Sequence, residues 1–188
     1  FKCARGGILM ISVEKARRIF DEAQSKSEED LQVLLSGGKN QLARIGKNRV
    51  YQNMMEKDYS LKVQVSMGKR VGNTSCNRFF GEELDQAVKQ AESIATHQKE
   101  DPDFSGFYKS DEEVVDQRFY CHETMGACFS EKLTELEAIF EDAKSKDVEV
   151  AGAFSHGDEI TALGNSDGLF RYHVCTDSSF TFSVMTPK

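Results

Sequence analysis

A helical segment occurs twice in this chain, and the repetition constrains the fold more than any other feature. Ile19–Lys26 recurs as Ile139–Lys146 with the same order of apolar and acidic residues and the same final lysine, and the two segments differ in residue class only where Gln24 corresponds to Lys144. The apolar spacing around the first segment is also reproduced in the second: Val13, Ala16, Ile19, Phe20 and Ala23 correspond to Leu133, Leu136, Ile139, Phe140 and Ala143. This spacing is typical of an amphipathic helix, so the sequence predicts two related helices.

Related strands are predicted after each helix. Leu61, Val63 and Val65 alternate with polar residues, and the same alternation returns at Phe180, Phe182 and Val184. Alternation with a period of two predicts a half-buried antiparallel strand in both places. We therefore predict an α+β fold made of an internally duplicated helix plus antiparallel β-meander unit. Independent convergence of two amphipathic helices is the alternative interpretation.

Turn residues and caps divide the chain into elements. Ser12 is suited to cap the first helix, which fades at residues 25–27. Turn residues at 37–38, 47–48, 57–58 and 68–69 separate five predicted strands: Leu31–Leu35, Gln41–Ile45, Val50–Met55, Tyr59–Met67 and Arg70–Cys76. A third helix follows Gly81, with an apolar stripe from Leu84 to Ala95, and it stops before Asp101-Pro102.

The second unit repeats this arrangement more briefly. A short strand near Arg118 to His122 precedes the helix Glu131–Lys144. Four strands are then predicted, with the turn Asn165–Gly168 as a hairpin: Val148–Phe154, Glu159–Leu163, Leu169–Cys175 and Ser179–Met185. The predicted organisation is an upstream or disordered segment 1–11, a first unit 12–99, an acidic connector 100–118 and a second unit 119–188. One compact domain containing both units is the alternative.

Composition disfavours two classes of partner and suggests a compartment. The net charge of −7 and pI of about 5.2 provide no basic surface for nucleic acid. The apolar run Ile8–Ile11 is too short for a membrane span or a signal segment. Five cysteines form no C-x-x-C pair, which is typical of free thiols in a reducing compartment. We therefore predict a cytoplasmic protein that binds neither nucleic acid nor membrane.

One histidine lies in a motif that resembles a zinc site. His122-Glu123 is similar to the start of a zinc-peptidase helix, but the positions for the second histidine are Gly126 and Ala127. Cys121, His122 and Cys128 together lack a fourth ligand and a standard spacing. The sequence therefore predicts no metal ligand and no catalytic residue in this chain.

Other polar residues give no stronger signal. His97, His156 and His173 have no sequence-local partner, and the glycines at 37–38 belong to no phosphate-binding pattern. The acidic clusters 28–30 and 111–113 lack the ligand spacing of a calcium loop. Exposed sheet edges remain the one general binding device, because an extended peptide can add to them as another strand. Substrate-binding residues are therefore unassigned.

Several segments together resemble a known family. The segments are 43–52, 59–75, the helix Leu84–Ala95 with Asp101-Pro102, and the turn Asn165–Gly168. In that order they resemble the N-terminal region of the TldD/PmbA family, also called modulator of DNA gyrase, over about residues 12 to 186. The resemblance depends on the order of elements and short motifs rather than on a catalytic signature.

The resemblance implies a cytoplasmic peptidase system that acts on extended or unfolded peptides. In that family one subunit type has a zinc-binding H-E-x-x-x-H in its C-terminal half, a related type lacks it, and subunits form homodimers or heterodimers. No matching zinc or catalytic residue can be transferred to this chain. The expected role is therefore a scaffold and substrate guide. Two alternatives are a free-standing interaction module and an enzyme with a site around Cys121 and His122.

Overall fold

The computed structural model describes residues 11–110, 112–126 and 129–186, with backbone only at 129 and 131. Its helices and strands follow in this order: α1 Val13–Gln24, β1 Asp30–Ile45, β2 Val50–Met67, β3 Arg70–Cys76, α2 Glu82–His97, β4 Glu113–Phe119, α3 His122–Gly126, α4 Phe129–Ser145, β5 Glu149–Asn165 and β6 Phe170–Met185. The predicted upstream segment 1–11 lies outside the described residues except for Ile11, which is buried.

One six-stranded sheet contains both repeated units. The strand order is β3-β2-β1-β5-β6-β4, and every neighbouring pair is antiparallel except β4 with β6. Each unit is a helix followed by a long hairpin, α1-β1-β2 and α4-β5-β6. Because β1 pairs antiparallel with β5, the two units meet at the centre of the sheet as if related by a twofold axis. The predicted duplicated α+β fold, with α2 as the helix between the units, is confirmed.

The strands are longer and fewer than predicted. The first two predicted strands form the single strand β1, the next two form β2, and the four strands of the second unit form β5 and β6. The predicted turns at 37–38 and 57–58 were wrong, since Gly37 lies opposite Tyr59 and Gly38 opposite Asp58 in a continuous ladder. By contrast, the predicted turns at 47–48, 68–69 and Asn165–Gly168 all lie between strands.

The glycines that suggested a turn instead allow close contact between strands. Gly37 has a positive φ of 139°, which other residues adopt rarely. A Cβ on Gly38 would overlap the backbone carbonyl of Asp158 on the neighbouring strand. A glycine inside a strand often marks such a close backbone approach. A glycine pair in the sequence can therefore indicate either a turn or a close approach of neighbouring strands.

The helices largely follow the prediction. The Ser12 side chain accepts a hydrogen bond from the backbone of Lys15 at 3.2 Å and caps α1. Helix α2 ends at His97, before Lys99, and α4 begins at Phe129 rather than at Glu131. The strand predicted near residues 118–122 lies at Glu113–Phe119. It is the outer neighbour of β6 and pairs with that strand in the parallel direction. No helix among the described residues has the length and apolar character needed to cross a membrane.

Two apolar cores lie on the same face of the sheet. Alternate residues of β1 point to one face, so Leu31, Val33 and Leu35 share it with Ile45 at the far end. The larger core packs α1 and α2 on one end of the sheet and includes Ile19, Phe20, Leu61, Leu84, Ile160 and Tyr172. The smaller core packs α4 on the other end and contains Ile45, Leu136, Phe140, Ala143 and Val150.

The opposite face has a polar surface without a helix on it among the described residues. An amide ladder crosses three strands there, with Gln32 donating to Gln64 at 2.9 Å and Gln64 donating to Asn73 at 2.7 Å. We call this the open face. Its polar ladder is consistent with contact to water, whereas the helix-covered face is apolar.

The two units differ in how well their outer strands are covered. Leu61, Val63 and Val65 on β2 are fully buried, whereas the corresponding Phe180, Phe182 and Val184 on β6 are 40%, 48% and 56% exposed. The half-buried strand predicted for the second unit was therefore wrong at this end. The reason is that β3 and α2 cover the first unit, and the described part of the second unit has no equivalent of either.

Candidate functional site

Two long strands extend beyond their outer neighbours and leave free edges. Strand β3 pairs with β2 only over Leu61–Met67, so residues 50–60 of β2 have no strand partner on that side among the described residues. Strand β4 pairs with β6 only over Phe170–Cys175, so residues 176–185 of β6 also have no strand partner on their outer side among the described residues. Outward N–H and C=O groups of such edges can pair with an added strand.

A buried polar cluster lies between the two cores on the helix-covered face. His156 and Asp158 alternate on β5 and are only 4% and 5% exposed. Asp158 Oδ1 accepts a hydrogen bond from the backbone N–H of Lys39 on β1 at 2.7 Å. Within the described part of the chain, Asp158 Oδ2 and His156 Nδ1 are buried and make no hydrogen bond. Unpaired buried polar atoms of this kind are uncommon and costly.

Burial and nearby cations keep His156 uncharged. Its burial, followed by the positive charges of Lys132 and Lys39, lowers the pKa of the imidazole to about 4. Lys132 on α4 also lies over the Phe154 ring, with Nζ 5.3 Å from the centroid. A neutral imidazole can serve as a hydrogen-bond donor or acceptor, according to its tautomer.

This pKa predicts a pH-dependent stability with a defined sign. In the unfolded chain a histidine has a pKa near its ordinary value of 6.5, so between pH 6.5 and 4 the unfolded state binds one more proton. The free energy of unfolding should therefore fall as the pH is lowered through this range, by about 2 kcal/mol after allowance for solvent screening. Urea unfolding at several pH values should show this loss in the wild type and not in His156→Gln.

The matched control for this measurement is His97→Gln at the exposed end of α2. It removes a histidine without touching the buried cluster. A His156→Gln profile that runs parallel to that of the wild type would contradict the assignment of the pH dependence to His156.

Tyrosines surround the acidic member of the cluster. Burial, together with the negative charge of Asp158, raises the pKa of Tyr59 to about 12 and that of Tyr172 to about 12. The Tyr172 hydroxyl donates to the carbonyl oxygen of Ile11 at 2.8 Å, which fastens the start of the described chain to the sheet. Both hydroxyls therefore stay protonated at neutral pH, and that of Tyr172 acts as a hydrogen-bond donor.

The predicted cysteine and histidine group lies beside this cluster. His122 and Glu123 were expected on a loop, but they begin the short helix α3. The backbone N–H of Cys121 donates to Thr176 Oγ1 at 3.1 Å, and Thr176 is the β6 residue opposite Asp158. The Cys121 Sγ donates to Glu123 Oε2 at 3.3 Å.

These contacts do not make a metal site or an activated thiol. His122 contacts Tyr120 edge to face at 4.8 Å between ring centroids, and Cys128 lies outside the described residues. In the part of the chain that the structure describes, no three histidine, cysteine or acidic side chains are placed to hold a metal ion. Among the described residues, the Cys121 thiol donates a hydrogen bond to Glu123 and makes none with a histidine.

The other predicted polar residues are dispersed. His97 and His173 are on different elements, α2 and β6, and the acidic residues 28–30 are exposed after α1. In the second acidic cluster, Asp111 lies outside the described residues, Glu112 pairs with Arg171 and Glu113 pairs with Arg17. Ion pairing therefore accounts for the acids of this cluster that the structure describes.

An acidic groove of about 390 Å³ crosses the centre of the open face. Gly38 and Gly157 contribute to its lining, and carboxylates from three strands border it: Glu56, Asp58, Glu159 and Asp177. Sequence analysis missed both this groove and the His156 and Asp158 pair. Placing turns at residues 57–58 and between 154 and 159 hid the strand alternation that assigns these side chains to faces.

Comparison with solved structures shows that the fold is shared. TldE from Thermococcus kodakarensis superposes with a TM-score of 0.68 at 16% identity, covering 92% of this chain and 41% of TldE. Candidate modulators of DNA gyrase from Thermotoga maritima and Bacteroides thetaiotaomicron give TM-scores of 0.67 and 0.65 at 15% and 19% identity. They cover 94% and 93% of this chain, and 44% and 41% of their own.

The sequence itself matches no protein-family model and no curated protein. The chain spans less than half the length of the solved chains that it resembles. The resemblance inferred from short motifs is therefore confirmed as a shared fold with part of these proteins.

Proposed function

We propose that this chain is the N-terminal scaffold and substrate-guiding domain of a TldD/PmbA-like peptidase system, and that it holds extended or unfolded peptides. The observation that supports the proposal most is the pair of edges on β2 and β6 that no described strand covers, within a fold shared with TldE. An extended peptide can hydrogen-bond to such an edge through its main chain, whatever its side chains are.

The shape of the described surface favours this mode over a closed pocket. Buried ligand sites are concave and mostly apolar, whereas the groove at the centre of the open face is shallow and bordered by carboxylates. Sheet edges, in contrast, give main-chain contacts along many residues. Recognition of a peptide by its backbone would suit a system that acts on many different unfolded chains.

Catalysis, metal and assembly complete the proposal. Hydrolysis, with zinc as the metal, would take place in another part of the system, and this chain would contribute no catalytic or metal-binding residue. The system would act in the cytoplasm, as homodimers or heterodimers of related subunits. A free-standing interaction module is the second candidate, favoured by the exposed apolar residues Phe180, Phe182 and Val184.

A backbone-modified peptide tests the main-chain mode. A short, uncharged, fluorescently labelled peptide with valine and threonine in alternation should bind the chain, as measured by fluorescence anisotropy. The same peptide with N-methyl groups at successive residues should bind at least tenfold more weakly, because the donors are then removed from both edges of the extended peptide.

The two peptides have identical side chains, so the comparison isolates the main chain. Equal affinity for both would contradict binding by strand addition and would favour the interaction module, in which side chains contact a folded partner. No binding of either peptide would overturn the proposal.

A further inference from the structure

The acidic groove of the open face lies where the two units meet, and the duplication repeats its residues. Gly38 and Gly157 are equivalent positions of the two units, and so are Asp58 and Asp177. In each unit the glycine lies directly opposite the aspartate in the strand pairing. Close contact between strands explains the glycines, whereas both aspartates are exposed, so packing does not explain them. The repeated aspartates therefore indicate a use of the groove other than packing.

The carboxylates that border the groove have no counter-charge. Four of them form no ion pair with any residue that the structure describes: Glu56, Asp58, Glu159 and Asp177. By contrast, Glu113 on the outer strand β4 pairs with Arg17. A cleft bordered by one sign of charge attracts and concentrates ions of the opposite sign. The groove is therefore suited to a cationic ligand.

A buried carboxylate beneath the groove also lacks a partner. Asp158 contributes to the lining of the groove and is only 5% exposed. Its Oδ1 accepts a hydrogen bond from the backbone N–H of Lys39 at 2.7 Å, and this bond draws the carboxylate into the ladder between β1 and β5. Its Oδ2 makes no hydrogen bond within the described part of the chain. Because a buried polar atom without a partner is costly, this oxygen needs a donor that the described residues do not supply.

The groove crosses the strands instead of following them. Its lining residues belong to β2, β1, β5 and β6, which are consecutive in the sheet. Neighbouring strands are about 4.8 Å apart, so Asp58 on β2 and Asp177 on β6 belong to strands roughly 14 Å apart. Gly38 and Gly157 each leave part of the floor without a side chain. Since no three potential metal ligands among the described residues are placed around one ion, this spread of charge suits a long ligand.

We propose that the groove binds a linear organic cation, a flexible chain with an ammonium group at each end and an amine between them. One terminal ammonium pairs with Glu56 and Asp58. The other pairs with Glu159 and Asp177. The amine between them donates to Asp158 Oδ2. A free aliphatic polyamine and the lysine side chains of a peptide share this chemistry.

This inference goes beyond the proposed peptide-holding function. A peptide that adds to a sheet edge runs along the strands, whereas the groove runs across four of them on the open face. The two sites therefore differ in place, direction and chemistry, and each can fail without the other.

Isothermal titration calorimetry with spermidine, a linear triamine, tests the groove. The double variant Asp58→Asn/Asp177→Asn removes the two repeated carboxylates and should weaken spermidine binding at least about tenfold, because charge-assisted hydrogen bonds are lost. The matched control Glu135→Gln/Glu137→Gln removes as much charge from exposed positions of α4, on the other side of the sheet. It should change the affinity less than about twofold, because salt screens distant exposed charges.

Two diamines of equal charge test the length of the site. The ends of 1,8-diaminooctane can reach carboxylates on both sides of the groove, and those of 1,4-diaminobutane cannot. The shorter diamine should therefore bind the wild type at least about fivefold more weakly. Equal affinity for the two diamines would contradict a ligand that spans the groove.

A peptide identifies the source of the ammonium groups. A capped peptide with two lysines separated by three glycines is titrated beside spermidine. Tighter binding of this peptide supports the groove as a site for lysine side chains, and tighter binding of spermidine supports it as a site for a free polyamine.

The remaining outcomes decide against the groove. Absence of binding by both spermidine and the lysine peptide overturns the inference, and so does equal weakening in the groove and control variants, which would show attraction by net charge alone. Circular dichroism establishes that the variants are folded, and Asn40→Lys, which places a cation in the groove, replaces the double variant if that is not folded. The uncharged valine and threonine peptide should bind the double variant as it binds the wild type, so failure of the groove leaves the edge proposal intact.

Discussion

Replacing Gly38 with alanine is expected to destabilise the folded chain by about 3 kcal/mol. Gly38 lies in the middle of β1, where a Cβ would overlap the Asp158 carbonyl and approach the Cα of Glu159 at 3.1 Å. Both obstacles are backbone atoms of β5, held in the ladder that joins the two units. Relief would require the central strands to separate, so the cost cannot be avoided by a change of rotamer.

Urea unfolding followed by far-ultraviolet circular dichroism measures this effect. Gly126→Ala is the matched control, because a Cβ there has no neighbour within 4 Å and alanine favours the helix α3. The control should change the free energy of unfolding by less than about 0.5 kcal/mol. A Gly38→Ala protein as stable as the wild type would mean that Gly38 lies in a loop, as the glycine pair suggested from sequence.

The same glycines show where prediction from sequence succeeded and failed. Helix periodicity and the Ser12 cap are local properties, and α1 and α2 were predicted nearly to their ends. Strand length depends on pairing between residues far apart in the chain. A glycine pair such as 37–38 is a frequent turn signal. Only the position of β5 shows that these glycines instead allow close contact between neighbouring strands. Hence the segments that were predicted as nine strands form five strands in the structure, namely β1, β2, β3, β5 and β6.

The candidate site was harder to predict than the fold. Free edges follow from which strands are neighbours, and that order is a tertiary property. The pairing of Asp158 with Lys39, and the approach of Cys121 to Thr176, join residues distant in sequence.

Removing the equivalent phenylalanine from each unit is expected to give two different results. Phe20→Ala opens a cavity in the larger core, where Phe20 is 8% exposed and meets Phe170 edge to face at 5.6 Å. The free energy of global unfolding should fall by about 3 to 5 kcal/mol. Phe140 is equally buried, at 4% exposed, but its core consists of α4 with Ile45 and Val150. Its loss should release α4 rather than unfold the sheet.

Native-state hydrogen exchange distinguishes these results, because it reports local opening separately from global unfolding. In Phe140→Ala, protection should fall in Phe129–Ser145 and persist in β1 and β2. The reason is that the substitution weakens the packing of α4 on the sheet, and α4 can open locally while the sheet stays folded. In Phe20→Ala, protection should fall in every element together. Loss of protection throughout the sheet of Phe140→Ala would show that the two cores act as one cooperative unit. Release of α4 would also expose His156, so the pH dependence of stability should shrink in Phe140→Ala and remain in Phe20→Ala.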